Sequence, residues 1–144
     1  LCLGKLEEFI YFQLALTLKM IQTTVDRETG IIWSIVKGIV TKEVLINKMI
    51  EIRFAAGHNT SSIKVMNIFE DSSTELTPEQ IREVWTLVLQ NSTHLTNIRG
   101  AMIASTPRET ALSMVYADTA NKSEAFNIKV FSTAAAALKW LNEE

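Results

Sequence analysis

The chain has 144 residues, a formal net charge of -2 and a single cysteine, Cys2. It is sized for one domain and should bury roughly two thirds of its unfolded surface without staples. Its net charge, with no long run of one sign, gives no argument for nucleic-acid binding, which needs a basic face, and one cysteine excludes an internal disulfide, in keeping with a reducing, cytoplasmic setting.

Residues 1–19 are predicted to be a helical extension. Leu6, Phe9 and Ile10 fall on one side at helical spacing, and Leu14 and Leu18 extend it. The apolar run is too short to span a bilayer, so membrane association is disfavoured. An apolar helix needs a surface to cover. These five residues are therefore the expected interface, either on the chain's own domain or on a second copy. Met20 offers a natural start for the domain proper, residues 20–144.

Met20–Val25 and Ile31–Val36 are predicted strands joined by the Asp26–Gly30 turn, an antiparallel hairpin. Lys37-Gly38 breaks the second strand, and Ile39-Val40 finishes it. Thr41 can cap a helix over Lys42–Ala55. Its stripe is Val44, Leu45, Met49 and Ile52, with Lys48 at the edge and its charge in water. His58 falls in the polar loop that follows.

Ile63–Asp71, reading IKVMNIFED, is the predicted central strand: an apolar run that ends in acids and serines. Thr77-Pro78 opens the next helix, with Gln80 completing a capping box and Ile81, Val84, Trp85, Val88 and Leu89 as the core stripe. Ile98–Ala104 is a strand. Thr106-Pro107 with Glu109 repeats the capping grammar for a helix that presents Ala111, Leu112, Val115 and Tyr116. Phe126, Ile128 and Val130 alternate with polar residues, as in a strand near the sheet edge. Ser132 or Thr133 caps a last helix whose Ala135, Leu138, Lys139 and Trp140 lie together. The order is β-β-α-β-α-β-α-β-α after the extra helix. This predicts an α/β fold with a mixed, largely parallel sheet and crossover helices.

Met20–Leu141 resembles the STAS or SpoIIAA-like domains, in particular a branch of small bacterial proteins. The resemblance rests on the hairpin Val25–Gly38 leading to Val40-Thr41, the strand end Phe69-Glu70-Asp71, Leu76-Thr77-Pro78-Glu79, and Val130-Phe131 followed by Ala137-Leu-Lys-Trp-Leu141. Anti-sigma-factor antagonists of this type bind a partner kinase and carry a phosphorylated serine or threonine at the helix start after the central strand. The resemblance makes Ser73 and Thr77 candidate phosphoacceptors, although the usual serine-glycine pair is replaced by Thr77-Pro78. Other proteins with this fold bind lipids or other apolar molecules.

Ligands in parallel sheets favour the carboxyl ends of strands. The candidate binding residues there are Asp71, Ser72, Ser73, Ser105, Thr106 and Arg108, where two helix starts offer free N–H groups to a small anion. The same hydroxyls also suffice as caps and turn residues. No spaced metal-ligand set, phosphate loop or dinucleotide fingerprint is present, so no metal and no cofactor is expected. His58 and His94 both precede strands, at the opposite end of the sheet from these serines, which argues against a Ser-His pair and an enzyme. The expected function is a non-enzymatic protein-interaction or regulatory module with a protein partner, self-association included. The alternative is a small-molecule or lipid-binding domain. Its pocket would lie at the strand ends, between sheet and helices around Trp85 and Tyr116, or beneath the N-terminal helix.

Overall fold

The computed structural model describes residues 4–11, 20–57 and 62–143, with the side chain of Asp71 excepted. Leu14, Leu18 and His58 lie outside the described residues. Residues 4–11 form helix α1, in which Leu6, Phe9 and Ile10 are about half exposed, at 54%, 58% and 48%. The chain then runs β1 (Ile21–Val25), β2 (Ile32–Val40), α2 (Lys42–Ala56), β3 (Ser62–Thr74), α3 (Pro78–Gln90), β4 (Asn97–Ile103), α4 (Pro107–Ala120), β5 (Phe126–Phe131) and α5 (Ala134–Asn142). The strands lie side by side in chain order, with β1 antiparallel to β2 and all later pairs parallel. This is the predicted mixed sheet, with β3 at its centre and the extra helix before it.

Capping residues set the helix starts. Thr41, Thr77, Thr106 and Thr133 each accept a hydrogen bond from a backbone N–H in the first turn. At α3 the box is complete, because Gln80 Oε1 also accepts from the Thr77 N–H at 3.0 Å. At α4 the Glu109 carboxylate instead accepts from the N–H and hydroxyl of Ser105.

β2 ends at Val40 as expected and carries a register shift at Lys37-Gly38, whereas β3 runs further than the sequence pattern predicts, through Ser72–Thr74. The register steps from Lys37↔Glu70 to Gly38↔Ser72, which leaves Asp71 as the extra bulge residue. Gly38 takes φ +83 beside this bulge, a conformation that favours glycine.

Three helices, α2, α3 and α4, cover one sheet face over a core that includes Val36, Val65, Val84, Trp85 and Tyr116. Among the described residues, α5 packs on the other face, over Met66, Ala101 and Trp140. Arg99 anchors that helix. It donates to the Trp140 carbonyl at 2.7 Å and to the Glu143 carbonyl, and its guanidinium lies 4.4 Å from the Trp140 ring centroid. Two stripes are rotated from their predicted phase. α4 buries Ser113, Tyr116, Ala117 and Ala120 but exposes Ala111, and α5 buries Ala137, Trp140 and Leu141 but exposes Ala135 and Lys139. No helix among the described residues is long and apolar enough to cross a membrane.

Candidate functional site

An apolar cleft of about 450 Å³ opens between α2, α3 and the sheet. Its floor is made by the first residues of the parallel strands, Ile63 and Val65, Ile98 and Gly100, Phe126 and Ile128. Its walls include Met49 of α2, Val88 of α3, and the rings of Trp85 and Tyr116, the two residues around which the sequence suggested a cavity. Those rings stand edge-to-face, with centroids 4.8 Å apart, and Phe126 meets Trp85 in the same way at 5.2 Å. All three rings are buried and form the inner end of the cleft.

Polar contacts hold α2 and α3 together at both ends and leave the middle apolar. At the start of α2, Lys42 Nζ pairs with Glu83 Oε2 at 2.8 Å. At its end, Arg53 Nη1 donates to the Asn91 carbonyl at 2.9 Å, and Nη2 lies 3.3 Å from His94 Nε2. Arg53 lines the cleft and is exposed, so its guanidinium stands at the mouth.

Lys48 departs most from its expected place. It is fully buried rather than at the edge of the stripe, and its Nζ has no hydrogen-bond partner among the described residues. The ammonium instead lies 5.4 Å from the ring centroids of both Phe69 and Tyr116. Cation–π attraction offsets part of its desolvation. Burial pushes its pKa down to about 7. The same burial raises the Tyr116 hydroxyl above its ordinary range. Ser34 Oγ, Asn67 Oδ1 and Trp85 Nε1 are likewise buried and unpartnered among the described residues.

The residues selected from sequence lie at the other end of the sheet. Ser72 and Ser73 pair with Gly38 and Ile39, while Ser105 and Thr106 serve Glu109 and the α4 cap. Arg108 Nη2 donates to the Thr74 carbonyl at 3.2 Å and so brings the end of β3 to the start of α4. Ser72 and Glu109 also border a cavity of about 60 Å³. Thr77 and Ser73 are exposed. β4, seven residues long, separates His94 from Ser105, so the two do not form a catalytic pair. Among the described residues no group of three or more His, Cys, Asp or Glu could hold a metal ion.

No protein-family model and no curated protein matches the sequence. A crystal structure of an uncharacterized DUF3478-family protein with a SpoIIAA-like fold, from Shewanella loihica PV-4, matches with a TM-score of 0.53. The match covers 84% of this chain and 91% of that one at 18% identity, and it establishes the SpoIIAA-like fold.

Proposed function

We propose that the chain is a non-enzymatic binding module that holds a small apolar molecule in the cleft between α2 and α3. The observation that carries this reading is the cleft itself, about 450 Å³ and walled almost wholly by apolar side chains. Binding sites for small molecules have this size and lining. Water fills such walls poorly because they offer few hydrogen bonds. A single cysteine supports a cytoplasmic setting.

Calorimetric titration with 1-decanol, a neutral apolar probe, tests the reading. Saturable binding at one site per chain is expected. Val88→Trp, which fills the cleft from α3, should abolish that binding while keeping the protein folded. Absence of binding to the parent chain would refute the reading.

The exposed Leu6, Phe9, Ile10 and Tyr11 of α1 favour a second role, contact with a protein partner, with a second copy of this chain as the simplest case. Sedimentation should then show a dimer for the full chain and a monomer for residues 20–144. Equal monomeric masses would remove self-association through this segment.

A further inference from the structure

The charge on the cleft narrows the class of molecule it takes; this step rests on the reading above. Among the described residues lining the cleft, Arg53 is the one charged side chain, and no acid faces it. A low-dielectric cleft whose described lining holds one cation and no anion concentrates positive potential at its mouth. Arg53 is also held in place there. One N–H goes to the Asn91 carbonyl and another faces the His94 ring, so α2 is fastened to the loop after α3. A guanidinium has five N–H donors, which leaves three for an incoming group. That planar fork matches a carboxylate better than any neutral head. The remainder of the wall is hydrocarbon and aromatic, with the Trp85, Tyr116 and Phe126 cluster at the inner end.

We infer that the ligand is a free aliphatic carboxylate, its chain lying along the cleft toward Trp85 and its head bound by Arg53 at the mouth. The orientation follows from the placement of the one exposed cation at the rim and the apolar floor beneath.

Parallel calorimetric titrations of the full chain with decanoate and with 1-decanol, at pH 7.5 and low salt, test this. Decanoate is expected to bind at least tenfold more tightly than decanol. Arg53→Met should remove that preference, so that the variant binds the two probes alike, and Arg53→Lys should keep part of it. Equal affinities for the two probes would overturn the carboxylate assignment and leave the apolar cleft standing. An undiminished preference in Arg53→Met would overturn the role of Arg53. Failure of both probes to bind would overturn the cleft reading and the carboxylate assignment with it. Decanol and decanoate bound alike, with the chain sedimenting on phosphatidylglycerol vesicles, would assign the charge to a membrane surface instead and overturn the inference.

Discussion

Lys48 couples the core to pH. Its pKa, about 7 in the folded chain against an ordinary 10.5, means that folding disfavours the proton. Below about pH 7 both states carry the ammonium and the burial penalty is present in full. Between pH 7 and 10.5 the unfolded chain binds more protons, so stability rises with pH. Tyr116 opposes this above its ordinary value of 10, because the unfolded chain then ionises first. Urea denaturation should therefore show a gain on the order of 2 to 3 kcal/mol from pH 6 to pH 9. Lys48→Met should be more stable than the parent at pH 6 and should flatten the rise, since an apolar side chain of similar length replaces a buried cation. A parent chain whose stability is flat over that range would contradict this account. Helical spacing put Lys48 beside the stripe, but only the packing of α2 over Phe69 and Tyr116 decides whether water reaches its amine.

At the level of elements, local chemistry was the most legible. The threonine caps and the Thr77-Pro78-Glu79-Gln80 box predict helix starts because the bonds involved span only three residues. Thr77→Ala should cost about 1 kcal/mol and lower the melting temperature, with the fold unchanged by circular dichroism. No loss of stability would mean that the Gln80 side chain and solvent satisfy the α3 start without the hydroxyl. Strand ends were less legible. Ser72–Thr74 read as a loop from composition, yet they pair because β2 extends past the bulge to meet them. The phases of α4 and α5 were offset for a related reason. The buried positions include Ser113, Ala117, Ala120 and Ala137, and small residues spread around a helix do not by themselves mark which face packs inward.

For the whole molecule, the alternation of strands and helices determined the topology, and the connections allowed little else. The cleft was only partly legible. Its aromatic inner end was visible as a stripe residue of α3 and one of α4. Its position was not, because the usual rule directs attention to the carboxyl ends of strands. Here the larger opening lies over their amino ends, where Arg53, Asn91 and His94 meet across a gap of well over 30 residues in sequence. A single sequence does not encode such a contact in any local pattern. The sheet is also covered unequally, by three helices on one face and α5 on the other, and the cleft belongs to the thicker side.

The most direct test of the cleft as a binding site is an intermolecular nuclear Overhauser experiment on the full chain with 1-decanol. Contacts are expected from the decanol chain to the Trp85 indole and to the methyl groups of Val65 and Ile128. Contacts confined to the exposed side chains of Phe9, Ile10 and Tyr11, with none to Trp85, would contradict it.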